Sequence, residues 1–495
     1  MRHAVGIGIG AIAALLLVAV PPTHAQQGSE HLGVVSLQVA HQPHDAVLPW
    51  NRGAEETLRG NAIVVGNGLL LTTADLIKDA TLIEVRKLGR YPNYQAETIL
   101  VDYELDLAML RVTDDGFWSG LMPMRLSTDP VEQNRFIISR WRSNGRFEQG
   151  SGEVVDLRTT RSRFGTMEMP VMRATTNMAG LGWSEVMTDR GAVVGLITSH
   201  NNQEIQSTAS PLLALFVEAA QRQTYEGFTH RGFSWQRLNQ AALRRYHGLQ
   251  EESPGVLVRQ VFSGGTGSGL LRKGDILMQL GEHLIDPEGI IAHAIYGPML
   301  FALAINETLG PTLPAVILRD GEIMQLELRR RRFTPEDYRI PSYTSDDPVD
   351  YEVFGGLVIQ ELTLSYLQAW GSNWQERAPR RLLIEYAMHS VREADKPPER
   401  IVFVSTVLPD QSNLGYQNLD NAIVTHANGR ALTSLAGFRE AIEHPADAFH
   451  VIELLPGQGR RKMIFDVAEI DEANRRIAQR YGVPDPPASR PVSAR

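Results

Sequence analysis

Between Asn61 and Val112 short apolar runs alternate with turn residues. Residues 62–65 (Ala-Ile-Val-Val) are followed by Gly66-Asn67-Gly68 and then by the apolar run 69–73. Residues 81–86 and 96–101 alternate apolar and polar positions, and 107–112 are apolar again. Side chains in a strand face alternate sides, so short segments at this spacing predict an antiparallel barrel or sandwich. The pattern continues through 135–139, 152–156 and 192–197. Residues 211–220 return to apolar positions at helical period and close this unit.

A second unit runs from about 231 to 333. It starts with a short strand at Gly232-Phe233 and a helical stretch around 238–246, followed by the apolar run 255–261, a Gly/Ser loop and residues 270–278. It ends on two strands joined by Asp320-Gly321, a pair suited to a tight hairpin turn. The basic run 329–332, Thr334-Pro335 and a polar stretch to Asp350 mark a boundary. A third unit, clearest from 421 to 455, holds a strand, a helix over 435–442 and a further strand at 451–455. The Pro/Arg-rich tail after Tyr481 is expected to be disordered.

Composition narrows the function classes. The 495 residues are 43% hydrophobic and 21% charged, which excludes wholesale disorder and a multi-pass membrane protein. A formal charge of −9 argues against nucleic acid as a partner. With no cysteine there is no disulfide, thiolate nucleophile or Cys-ligated zinc. The histidines lack metal-ligand spacing, so neither a metal nor another cofactor is expected. Arg2, the apolar run 4–20 and Thr23-His24-Ala25 read as a secretory signal peptide over 1–25, with a retained membrane anchor as the alternative. No later stretch is long and apolar enough to span a bilayer. An exported chain without cysteine suits a bacterial periplasm.

Several strings resemble the HtrA/Deg family of trypsin-like, PDZ-containing serine proteases. Residues 68–77, with Asp75 near their end, resemble the strand and turn that present the catalytic histidine. Residues 102–110 resemble the stretch bearing the triad aspartate, here Asp106. Residues 180–186, followed by a glycine strand at 191–195, stand in the nucleophile region. Gly255-Val256-Leu257-Val258 and residues 271–277 resemble PDZ strands. Phe117-Trp118, Gly120, Pro123 and Asn413-Leu414-Gly415-Tyr416 resemble the plant-type Deg branch. The resemblance implies a mainly β chain: a trypsin-like double β-barrel at 26–225, a PDZ domain at 226–335 and a divergent α+β PDZ-like domain at 336–480, before the tail 481–495. It also implies a homo-oligomer, a trimer or a multiple of one.

The matching positions depart from protease chemistry. Acyl transfer needs a base, a carboxylate that orients it and an attacking hydroxyl. Asp106 keeps the carboxylate, but Asp75 stands at the base position and Gly182 at the nucleophile position. Glycine has nothing to attack with, and a carboxylate titrates near 3.9, far from a useful base at neutral pH. Two facing carboxylates should raise one pKa or recruit a cation. Trp183 and Glu185 replace small or rigid family residues, and Trp183 could fill the space of a substrate carbonyl. Ser184 as a displaced nucleophile is the lesser reading beside an ordinary polar loop serine, while His200 reads as a surface histidine and Asp102 as a turn residue rather than as catalytic groups.

PDZ domains bind extended peptides as an added strand, with loop N–H groups capturing the terminal carboxylate. The resemblance puts that loop at Arg231, Gly232, Phe233 and Ser234, with an edge strand and a buried Phe as the structural alternative. No ligand is placed in the second PDZ. Two function classes remain. One is a pseudoprotease that binds peptides or unfolded proteins as a chaperone or scaffold. The other is an active ATP-independent serine endopeptidase with a rearranged site.

Overall fold

The computed structural model describes residues 30–484 apart from 129–130, 132–133, 164, 166–167, 223–224, 226, 307–309, 334–336, 343–348, 390–398, 446 and 458–460. The segment read as a signal peptide, the Thr334-Pro335 boundary and residues 485–495 of the tail lie outside the described residues. Among the described residues no helix is long and apolar enough to cross a membrane.

The first barrel half is a seven-stranded antiparallel sheet of β1 (Val34–His41), β2 (Glu56–Gly66), β3 (Leu69–Thr72), β4 (Ala80–Arg86), β5 (Asn93–Gln95), β6 (Glu97–Asp102) and β7 (Leu107–Arg111). Its order is β5-β4-β1-β2-β3-β7-β6. The β2–β3 turn works because Asn67 and Gly68 accept φ of 55° and 73°, the conformation a tight hairpin demands. The second half closes as a barrel of β8 (Arg135–Trp141), β9 (Phe147–Thr160), β10 (Met169–Thr176), β11 (Val186–Asp189), β12 (Ala192–Asn201) and β13 (Glu204–Ala209), in the order β10-β13-β12-β11-β8-β9. Each half has its own core. A third cluster joins Ile63, Leu71 and Met109 of one half to Val186 and Leu196 of the other and to Phe216 of the helix Ser210–Gln221. That shared cluster fixes the cleft between the halves.

Two further units share one strand order. The first runs Phe233–Gln236, Val256–Val261, Ile276–Leu280, Thr312–Arg319, Glu322–Arg329. Its last hairpin turns at Asp320 and Gly321, both at positive φ, as their sequence predicts. The outer edge of Phe233–Gln236 pairs with no other described strand.

The second unit runs Tyr351–Phe354, Leu357–Glu361, Val402–Val407, Ala422–Ala427, Phe449–Leu454, Lys462–Asp466, with helices Leu435–Ile442 and Val467–Tyr481. Here the strand equivalent to the open edge is already covered by Tyr351–Phe354, through a turn at Gly355-Gly356. Phe354 packs edge-on against Phe438 of Leu435–Ile442, and Arg439 from the same helix grips Asp350, Glu352 and the Tyr351 carbonyl.

This last unit is fastened to the barrel halves in two places. Residues 44–52, between β1 and β2, reach across to it. Ala46 O accepts from Gln360 Nε2 at 3.1 Å, Val47 O accepts from Ser405 Oγ at 3.0 Å, and the Trp50 ring lies 5.4 Å from that of Tyr351. On the other side Gln368 Nε2 donates to Arg163 O at 3.2 Å and Tyr338 Oη to Glu104 at 3.2 Å.

Candidate functional site

Asp75, Asp106 and Gly182 line one cavity of about 670 Å³ between the two barrel halves. Asp75 sits in a single helical turn, Ala74–Ile77, just after β3. Its backbone N–H donates to Asp106 Oδ1 at 2.7 Å, and its own Oδ2 accepts from Arg163 Nη1 at 2.9 Å. Asp106 stands before β7 at φ 57° and is 2% exposed. Burial pushes the Asp106 carboxyl well above the usual carboxylate range, and the Asp75 charge adds to the push. The N–H groups of Asp75 and Ala74 pull it only partly back. Asp75 is also raised by burial, with Arg163 and Lys78 opposing. Both carboxyls are thus shifted upward, Asp106 by burial and by the Asp75 charge, and Asp75 holds the Arg163 cation.

The loop before β11 is closed on itself. The Gly182 N–H donates to the Glu185 carboxylate, which is 1% exposed and also lies 3.5 Å from Arg140 Nη1. Arg140 in turn donates to the carbonyls of Gly180 and Ala179 and to Glu148. A β-carbon at Gly182 would meet nothing nearer than Glu185 Oε1 at 3.4 Å, so the glycine is not required by crowding. Ser184, at φ 57° and 1% exposed, also borders the cavity, but its Oγ is bonded to Thr72 Oγ1 at 3.1 Å and Thr73 Oγ1 at 2.6 Å. Trp183 lines the cavity while its carbonyl accepts from Asn61 N. Asp102 is the last residue of β6 and its carboxylate caps the turn that follows, accepting from Leu105 N and from the Tyr225 hydroxyl. His200 lies at the exposed end of β12 on the cavity rim.

The other group of predicted residues lies elsewhere, in the unit of Phe233–Gln236 to Glu322–Arg329. Phe233 is fully buried and stacked parallel to Phe301. The Gly232 N–H donates to His230 Nδ1 at 2.9 Å, and Gly232 packs so tightly on Gly265 that any side chain would collide. The Arg231 guanidinium pairs with Glu168 of the protease fold and donates to Phe233 O. Ser234 is half-buried on the open edge strand. Sequence reasoning missed Arg163, Arg140, Glu104 and the cavity roof of Gln368, Gly371, Ser372, Trp374 and Gln375, which the last unit contributes. These groups meet only through tertiary packing.

Comparison with known proteins agrees with the two-part architecture. A PDZ domain family model matches residues 340–489. Protease Do-like 2, chloroplastic, of Arabidopsis thaliana is 24% identical over 461 residues, covering 91% of this chain and 74% of the relative. Protease Do-like 4, mitochondrial, of the same plant is 22% identical over 416 residues, covering 83% of this chain and 76% of the relative. Over most of its length the chain is similar to HtrA/Deg-type serine proteases. Among solved structures, HtrA-type protease AlgW with decapeptide superimposes with a TM-score of 0.46 at 17% identity, covering 62% of this chain and 97% of that one. Within the HtrA/Deg frame the cavity lies at the junction of the two barrel halves, where a trypsin-like fold assembles its triad from both.

Proposed function

We propose that this HtrA/Deg-like chain is a pseudoprotease that binds peptides or unfolded polypeptide without cutting it. The observation that carries the reading is the Gly182–Glu185 contact. A protease needs backbone N–H groups aimed at the developing oxyanion, and the nucleophile's own N–H is one of them. Here the N–H of Gly182 is committed to an internal carboxylate, and the residue has no side chain to attack with. Asp75 is tied to Arg163 and Ser184 to Thr72 and Thr73, which supports the same reading.

Peptide binding is assigned to the open edge of Phe233–Gln236, where an extended segment adds as a further strand. The apolar leader at 4–20 supports the periplasm as the compartment, and family resemblance supports a trimer or a multiple of one. The test is incubation of purified protein with casein and with a fluorophosphonate probe. The reading expects intact casein and no covalent label. Stoichiometric labelling of any serine overturns it.

A further inference from the structure

The cavity between the barrel halves is walled by more than the two halves. Gln368, Gly371, Ser372, Trp374 and Gln375 of the second PDZ unit roof it, and the remaining volume of about 670 Å³ lies within the range of small-ligand pockets. The charges on its wall are unevenly matched. Asp75 is paired with Arg163, Asp106 accepts from the Asp75 N–H, and Glu104 accepts from the Tyr338 hydroxyl. Every carboxyl group on the wall thus has a partner. Arg161 also lines the cavity, is exposed, and makes no hydrogen bond or ion pair among the described residues. Gln206, Gln375, Trp183 and Trp374 line the same cavity. The wall therefore offers one unmatched cation, amide groups complementary to a peptide backbone and two aromatic side chains for an apolar residue.

We propose that this roofed cavity binds a short peptide of two or three residues through its free C-terminal carboxylate, with Arg161 as the carboxylate anchor. A guanidinium recognises a carboxylate by paired N–H donors, which an uncharged amide end cannot replace. Such a ligand resembles the product of a proteolytic cut and is held rather than made. The proposal rests on the non-cleaving reading, yet the two fail separately. Probe labelling reports on a nucleophile, whereas equilibrium binding reports on the cavity.

The experiment is calorimetric titration of the full chain with an Ala-Ala-Phe tripeptide and with its C-terminal amide. Expected is saturable binding of the acid, at least tenfold weaker binding of the amide, loss in Arg161→Gln, and only partial recovery in Arg161→Lys, which restores the charge without the paired donors. Arg161 has no structural partner among the described residues, so the variants should fold, which circular dichroism checks. Gly182→Phe, whose β-carbon has room, should fill the cavity and abolish binding while leaving the first PDZ edge untouched. Equal binding of acid and amide, binding that survives Arg161→Gln or Gly182→Phe, or no binding at millimolar peptide each overturns the proposal. So does succinate binding as tightly as the tripeptide, since a small acid then satisfies the cavity without a peptide backbone.

Discussion

Arg163 places its Nη1 2.9 Å from Oδ2 of Asp75, across 88 residues of sequence. This contact lets a buried carboxylate stand beside a second acid without either leaving the cavity wall. Because the Arg163 side chain is 64% exposed, solvent screens the pair. A double-mutant cycle with Asp75→Asn and Arg163→Gln should give a coupling of about 0.5–1 kcal/mol in urea unfolding. A coupling of zero would mean the guanidinium merely drapes over the carboxylate.

Asp106 gives the fold an acid preference. Its folded pKa is raised, so the folded chain holds the proton more tightly than the unfolded chain does. Its contribution is complete below 3.8, the ordinary value, and is lost as pH rises through the raised folded value. Asp106→Asn keeps an oxygen for the Asp75 N–H and removes the titration. Relative to this variant, the wild type should lose thermal stability as pH rises above about 4. Parallel pH profiles for the two proteins would refute the assignment.

His230 works in the opposite direction. Burial, then the neighbouring Arg231 and Arg161, lowers its pKa from 6.5 to about 3. The neutral ring accepts from Gly232 N–H and stacks on Phe333 at 3.8 Å between centroids. Stability from this group is full above pH 6.5 and declines as pH falls toward 3, because the unfolded chain takes up the proton first. Imidazole NMR shifts should leave His230 neutral at pH 5, and a ring that titrates near 6.5 contradicts the packing.

Reconstruction of catalysis should need three changes. Asp75→His with Gly182→Ser supplies a base and a hydroxyl, but Glu185 still holds the N–H of residue 182. Adding Glu185→Ala frees that donor. One such donor is worth about 10²–10³ in rate, so fluorophosphonate labelling should rise by roughly that factor from the double to the triple variant. Equal labelling of the two would show that the Glu185 contact is irrelevant to an oxyanion site.

Trp50 secures the second PDZ unit to the first barrel half, packing with Leu48 against Val353 and the cluster of Val358, Leu408, Ala473 and Ile477. Trp50→Ala should cost about 1–3 kcal/mol, below the range for a fully buried aromatic because the ring is half-exposed. Limited proteolysis should cut faster between residues 331 and 350. Unchanged cleavage rates would place the fastening elsewhere.

The sequence made much of the fold legible because strands carry their period locally: residues 62–65 with 69–73, and the Asp320-Gly321 hairpin, need no partner to be recognised. The trio of Asp75, Asp106 and Gly182 was legible through order and spacing. Arg163 was not, since nothing in its own neighbourhood predicts which carboxylate it meets. The helix Val467–Tyr481 escaped notice because only Ile470, Ala473 and Ile477 are buried along fifteen residues, too thin an apolar stripe to stand out among charges. The Arg140–Glu185 pair was hidden for a further reason: a lone glutamate in a loop reads as solvated until its cation is placed beside it.

The strand Tyr351–Phe354 has a consequence for any visitor to the second PDZ unit. It lies beside Leu357–Glu361, joined by only two glycines, so it behaves as a tethered rival at an effective concentration of about millimolar or higher. A free peptide of equal quality loses that contest at micromolar levels. Addition of a free strand at that edge therefore requires displacement of the chain's own segment.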